Sequence, residues 1–142
     1  MKKEYIFVPF LFFISLLFPL SVSAATVITS PVDSRPISTS YLENLVSINN
    51  DKLITIDSSY LDMFTADTEK FADSKKVREL IRENVSKNNS SDTTVIINTS
   101  SYFTGGLVGS RCAAQYENTD TALKELLNLV TDYTQPKYYI NI

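Results

Sequence analysis

Four short runs of β-branched and apolar residues alternate with three segments of helical periodicity along residues 25–142. The runs predict strands at 26–29, 52–56, 93–98 and 137–142. The segments between them predict helices from Ser38 or Thr39 to 48, from Asp73 or Ser74 to 87, and over 119–131. This β-α-β-α-β-α-β order is typical of an α/β fold with a mostly parallel sheet of about four strands and right-handed crossovers.

The pattern also predicts which side chains form the core. We expect the first and third strands to be neighbours, so that the loops that follow them meet at one edge of the sheet. The strand residues expected in the core are Val27, Ile28, Ile54, Ile56, Val95, Ile96, Ile97, Tyr139 and Ile140. The helix residues expected to face inward are Tyr41, Leu42, Leu45, Val46, Ile48, Val77, Leu80, Ile81, Val85, Leu123, Leu126, Leu127 and Val130. The charge run of the second helix, which includes Arg78, is expected to face solvent, and Glu43 to lie in the first turn of the first helix.

The N-terminus has the features of a secretory signal peptide. Lys2 and Lys3 precede an apolar run over 5–20. A short segment with small residues follows and ends at Ala24, which predicts cleavage by a signal peptidase after Ala24. We therefore expect a signal peptide over 1–24 and an exported domain over 25–142 that is extracellular or associated with the cell envelope. An uncleaved segment would be the chain's link to a membrane. Because the chain stops on a strand with no closing helix, we expect 25–142 to be the truncated N-terminal half of a larger α/β domain.

Composition excludes several functions. With 13 basic and 16 acidic residues the net charge is −3, and no basic cluster suggests nucleic-acid binding. The sequence has no histidine, no zinc motif, no G-x-G-x-x-G pattern and no phosphate-binding loop, so we expect neither a metal nor another cofactor. The single cysteine, Cys112, is expected to be a small buried or half-buried side chain.

A first motif, Pro-Val-Asp-Ser-Arg-Pro over 31–36, follows the first strand. Asp33 is a candidate general base, metal ligand or acceptor for substrate hydroxyls. Arg35 is a candidate clamp for a carboxylate or phosphate. The alternative is an aspartate-capped turn that proline rigidifies, with Arg35 paired to an acidic neighbour.

A second motif, Thr-Gly-Gly-Leu-Val-Gly-Ser-Arg over 104–111, follows the third strand within a segment, 100–111, that we expect to be a loop. Gly105 and Gly106 permit positive φ and a close approach of the backbone to a ligand. Ser110 and Arg111 add a hydroxyl and a cation. The alternative is a glycine turn that redirects the chain into the next helix. Tyr102 and Phe103, just before it, are suited to stacking on a sugar or to packing.

Together the two motifs resemble those of the bacterial domain-of-unknown-function family 4127. Members of that family carry a strand followed by P-[LV]-D-S-R-P and, later, a strand leading into Y-G-G-L-[IV]-x-S-R. The resemblance covers the whole of 25–142 and implies a longer protein and a shared site at Asp33, Arg35, Gly105, Gly106, Ser110 and Arg111. This sequence departs from the pattern at Ser100, where an acid is usual, and at Thr104, where tyrosine is usual.

These observations support two functional hypotheses from different classes. The first is an exported protein that acts on envelope or extracellular carbohydrate, with Asp33 as the catalytic acid or base and Asp57, or less favourably Asp62, as the second carboxylate. The second is a non-catalytic module that binds an anionic small molecule through Arg35 and Arg111, with Gly105, Gly106 and Ser110 at the same site. A third interpretation is a truncated fragment without independent activity.

Overall fold

The computed structural model describes residues 24–61, 73–107, 109–111 and 119–142. The predicted signal segment up to residue 23, Asp62 and Cys112 lie outside these ranges. The strands are β1 Thr26–Thr29, β2 Lys52–Thr55, β3 Thr93–Asn98 and β4 Lys137–Asn141. The helices are α1 Pro36–Ile48, α2 Ser74–Lys87, α3 Thr99–Thr104 and α4 Thr119–Asp132, with 3-10 turns at Ser58–Tyr60 and Gly109–Arg111. Among the described helices, none has the length and apolar character needed to cross a membrane.

The strands form one parallel sheet in the order β2-β1-β3-β4. Ile28 of β1 is in register with Ile54 of β2 on one side and Val95 of β3 on the other. The predicted α/β class and the adjacency of the first and third strands are therefore confirmed. Since parallel strands all end at the same edge, the segments after β1 and β3 begin side by side.

The core lies between the sheet and the helices α2, α3 and α4. Ile28, Val95 and Ile97 pack against side chains of α2 that are almost fully buried, and these are Val77, Ile81 and Val85. Burying a side chain of this size contributes about 1.5–3 kcal/mol. This core fixes the sheet edge from which the two motif loops extend.

Strand β4 does not bury the residues that its sequence pattern suggested. Tyr139 is 59% exposed and Ile140 is 48% exposed. Tyr138 packs against the core instead, and its hydroxyl donates to the carbonyl of Tyr133 at 2.8 Å. Successive strand residues point to opposite faces, and β4 is an edge strand of the described sheet, so Tyr139 faces away from the core, and Ile140 lies next to the last residue of the strand.

Two helices bury narrower stripes than predicted. In α1, Tyr41, Leu45 and Ile48 are exposed, and Val46 is the buried residue. In α4, Leu123 and Leu127 are exposed, whereas Ala122, Leu126 and Leu129 are buried at helical spacing. A helix that packs against one neighbouring layer covers one stripe, and the next stripe around the helix stays in contact with solvent.

Three further predictions about the helices are wrong. The segment expected as a loop over 100–111 begins with α3 and contains the 3-10 turn Gly109–Arg111. Because α1 begins at Pro36, Glu43 lies beyond the first turn. Arg78 is not on a solvated face: its side chain is 7% exposed and is paired with Glu125 of α4.

Candidate functional site

The first motif forms a turn around the carboxylate of Asp33. This carboxylate is fully buried, and its Oδ1 accepts hydrogen bonds from the backbone N–H of Arg35 at 3.0 Å and from the hydroxyl of Ser38 at 2.9 Å. An aspartate that binds the N–H two residues later makes a tight turn. Pro36 then occupies the first position of α1, where a proline suits the helix geometry. The turn thus connects the end of β1 to the start of α1.

The other oxygen of Asp33 holds the side chain of Arg35. Its Oδ2 accepts from Nε of Arg35 at 2.8 Å and lies 2.7 Å from Nη2. The side chain of Arg35 is nevertheless 43% exposed. A guanidinium bound at two nitrogens has a fixed plane, so Asp33 orients a cation that still reaches solvent at the carboxyl edge of the sheet.

Burial and hydrogen bonding act on the pKa of Asp33 in opposite directions. Burial favours the neutral carboxyl and raises the pKa. The hydrogen bonds from Arg35 and Ser38, together with the charge of Arg35, lower the pKa by more than burial raises it, so that it lies below 3.8. The hydrogen bond to Asp33 also raises the pKa of Arg35. At neutral pH the pair is ionised on both sides.

The second motif begins where glycines end α3. Gly105 has φ of 86° in the left-handed region, and the N–H groups of Gly105 and Gly106 donate to the carbonyls of Ser101 and Ser100, each at 3.0 Å. This pair of hydrogen bonds caps the end of a helix, and the residue in the left-handed conformation is usually glycine because a Cβ would clash at that position. The predicted positive φ is confirmed at both glycines.

The rest of the motif folds back over this helix end. The N–H of Ser110 donates to the carbonyl of Gly106 at 3.0 Å, and its hydroxyl donates to the carbonyl of Leu107 at 2.7 Å. Arg111 ends the 3-10 turn and is exposed. The second motif therefore presents a cation to solvent, as the first one does.

The two motif loops are joined by residues that the sequence did not single out. The hydroxyl of Ser101 in α3 donates to the hydroxyl of Ser30, which directly follows β1. This hydrogen bond is 2.9 Å long and buried. Asn98, whose side chain accepts from the N–H of Ser100 at 3.1 Å, starts α3. A polar Ser30 after a buried strand and an asparagine followed seven residues later by Gly105 were the sequence signals for this arrangement.

The carboxyl edge of the sheet carries two clefts. The β2-side cleft, of about 240 Å³, is lined by Ser34, Pro36, Thr39, Ser40, Glu43, Thr55, Ile56, Asp57 and Ser58. The β3-side cleft, of about 250 Å³, is lined by Thr99, Ser100, Phe103, Thr104, Ser110 and Thr119. Ser100 and Thr104, at which the sequence departs from the motif pattern it resembles, both line the β3-side cleft.

The β2-side cleft contains Asp57, the predicted second carboxylate, and Glu43, which sequence reasoning did not assign to a site. Asp57 accepts from the N–H of Ser59 at 2.8 Å and so caps the 3-10 turn Ser58–Tyr60. Hydrogen bonds from the side chain and backbone of Ser59 lower the pKa of Asp57. Both predicted catalytic carboxylates, Asp33 and Asp57, are therefore held in the ionised form.

A further cleft, of about 310 Å³, lies between α2 and α4 and away from the motif loops. It is lined by Lys75, Arg78, Glu79, Arg82, Tyr102, Glu125, Asn128 and Leu129. Its two arginines are paired, Arg78 with Glu125 and Arg82 with Asp132. Burial raises the pKa of Tyr102 in its wall to about 12, which keeps the phenol neutral. In the described ranges no group of three His, Cys, Asp or Glu side chains is placed to hold a metal ion.

Comparison with known proteins gives one match. No curated protein matches the chain, and no solved structure does. The family model described as "Protein of unknown function (DUF4127)" matches residues 27–141, which include both motifs, strands β2 to β4 and all of β1 except Thr26. The chain belongs to this family.

Proposed function

We propose that this chain is an exported protein that binds an anionic ligand at the carboxyl edge of its sheet. Arg35 takes the anionic group, and Asp33 is the positioning residue that orients Arg35. The observation that carries the proposal is the fully buried Asp33 carboxylate, which holds the half-exposed Arg35 guanidinium at Nε and Nη2. Export is supported by the basic residues and apolar run at the N-terminus.

Binding fits this arrangement better than hydrolysis does. A general base or nucleophile must reach the substrate, but Asp33 is buried and accepts from Arg35 and Ser38 on both of its oxygens. Glycoside hydrolysis also needs one carboxyl with a raised pKa to act as the acid, whereas the pKa values of Asp33 and Asp57 are lowered. The binding module therefore takes precedence over the carbohydrate hydrolase in this part of the chain.

An oriented arginine suits a carboxylate or phosphate ligand. Such groups accept two parallel N–H bonds from the guanidinium plane, and a plane that is already fixed loses less entropy on binding. The net charge of −3 repels anions at long range, so the attraction has to come from local cations. Arg111, exposed on the second motif at the same edge, supplies a second positive charge.

Titration with inorganic phosphate tests the role of Arg35. Arg35→Gln should abolish saturable binding, and Arg35→Lys should weaken it by roughly tenfold, because lysine keeps the charge but loses the planar fork. Isothermal titration calorimetry of the full chain measures both. The contrast between the two variants separates bidentate recognition from a simple effect of charge.

Arg82→Gln is the matched control. Arg82 is also about half exposed and also pairs with an aspartate through Nη2, but it lies on α2, in the wall of the cleft between α2 and α4, and its partner Asp132 is exposed. This variant should bind phosphate as the wild type does. Equal losses in the Arg35 and Arg82 variants would show non-specific attraction and overturn the proposal.

A further inference from the structure

The described lining of the β3-side cleft consists of small hydroxyl-bearing residues and one aromatic residue. Of its six described lining residues, Phe103 is aromatic and the other five are serines or threonines. None of these described residues is charged. The cleft therefore differs from the β2-side cleft, where the lining includes Glu43 and Asp57.

The ring of Phe103 is held in place by a buried neighbour. It packs edge-to-face against Tyr102, with ring centroids 5.6 Å apart and an angle of 66° between the planes. Tyr102 belongs to the core, so it anchors the pair, whereas Phe103 is half-buried and lines the cleft. Of the two aromatic residues suited to stacking, Phe103 is thus the one available to a ligand.

The half-buried residues Thr99 and Ser100 offer hydroxyl oxygens to a ligand in this cleft. Thr104 does not, because it is 1% exposed and its hydroxyl lies within hydrogen-bond distance of the carbonyls of Ser100, at 2.7 Å, and Gly106, at 3.2 Å. An oxygen acceptor beside an aromatic face fits a pyranose ring, which has hydroxyl donors around its rim and an apolar C–H face for stacking.

We propose that the β3-side cleft binds the neutral ring of a sugar. The cleft is close to the first motif, because Ser101, the neighbour of the lining residue Ser100, is hydrogen-bonded to Ser30, which directly precedes that motif. The ligand is then an acidic saccharide, with its ring in the cleft and its carboxylate or phosphate at Arg35. The assignment of both groups to one ligand rests on the proposed function, whereas the sugar subsite stands on the cleft alone.

Saturation-transfer NMR with N-acetylglucosamine tests the subsite on the full chain. The wild type should transfer saturation to the C–H protons of the sugar ring. Phe103→Leu, which keeps an apolar side chain but removes the aromatic face, should weaken binding by about tenfold. Tyr133→Leu is the control, because Tyr133 is a half-buried aromatic residue that contacts Arg82 rather than the cleft. Circular dichroism shows whether each variant is folded.

The outcomes separate the two proposals. Absence of saturation transfer in the wild type, or equal affinities in wild type and Phe103→Leu, would overturn the sugar subsite. Absence of phosphate binding alongside sugar binding that depends on Phe103 would overturn the proposed anion site and leave the subsite standing. Glucuronate, which carries both groups, should bind more tightly than N-acetylglucosamine, and equal affinities would overturn the assignment of both groups to one ligand.

Discussion

Arg78→Ala should lower the free energy of unfolding by about 2–4 kcal/mol, the largest loss we expect from a single arginine. Arg78 is almost fully buried and makes two contacts across layers: Nε donates to Glu125 of α4, and Nη1 donates to the carbonyl of Tyr102 at 3.1 Å. Its loss leaves that buried carbonyl without this donor and removes the packing of its alkyl chain. Glu125 is 43% exposed and can regain water, which keeps the loss below that of a fully buried ion pair.

Arg82→Ala provides the comparison on the same helix. Arg82 lies one helical turn after Arg78, pairs with Asp132 of the same α4 and contacts the ring of Tyr133 at 5.5 Å. Because this pair is exposed, its loss should cost less than about 1 kcal/mol. Urea unfolding of the two variants measures the difference. Equal losses would contradict the structural role assigned to Arg78.

The second large effect concerns Asp33. Asp33→Asn keeps the shape of the side chain but removes its charge and replaces one acceptor with a donor that faces Arg35 or Ser38. We expect unfolding free energy to fall by about 1–3 kcal/mol. Because Arg35 also loses its fixed orientation, phosphate affinity should fall in the protein that remains folded. If Asp33 only stabilised the turn, Asp33→Asn would lower the stability of the protein but leave the phosphate affinity of the folded protein unchanged.

The pH dependence of this effect has a definite sign. The pKa of Asp33 is lowered on folding, so the unfolded state binds more protons near pH 3.8 and the stabilisation is present above that pH. It is lost as the pH falls through the lower pKa of the folded state. The difference in stability between wild type and Asp33→Asn should therefore shrink below pH 3.8. Urea unfolding across this pH range measures it, and a difference that stays constant would contradict the assignment.

The sheet and its order could be predicted because two signals agreed. Val95 to Ile97 form an apolar run of the kind found in strands covered on both faces, and the two motif loops could meet only if β1 and β3 were neighbours. Both inferences depend on local pattern and on the handedness of crossovers, which the sequence carries. The structure confirms the parallel sheet and the adjacency of β1 and β3, but β3 buries alternate residues, and Ile96 is half-buried.

Long-range contacts explain why some burial predictions were wrong. Arg78 lies in a charged run, and its burial depends on Glu125 and Tyr102, which are distant in sequence and carry no local signal. Alternation in β4 permitted either Tyr138 or Tyr139 to face the core, and a shift of one residue exchanges the two faces. Sequence pattern gives the period of an element but not which of its faces another layer will cover.

The position of the first motif after β1 was predictable, but the contacts of its side chains were not. Asp33 and Arg35 were identified by their place after β1, and the sequence permitted either a catalytic acid or a capped turn. The hydroxyl of Ser38 and the N–H of Arg35, both on Asp33, favour the turn in this structure. Helix α3 was missed because Thr99 to Thr104 contains weak helix formers, although Asn98 and Gly105 are suitable caps at its ends.

The central claim, an arginine oriented for anion binding, is tested most directly by following the Nε–H proton of Arg35 during a phosphate titration by NMR. This proton is donated to Asp33 at 2.8 Å, which protects it from exchange with water, and Arg82 provides an internal comparison. We predict a saturable change in the Arg35 signal at phosphate concentrations that leave the Arg82 signal unchanged. An Arg35 signal that does not move, or that moves linearly and in parallel with that of Arg82, would contradict the account.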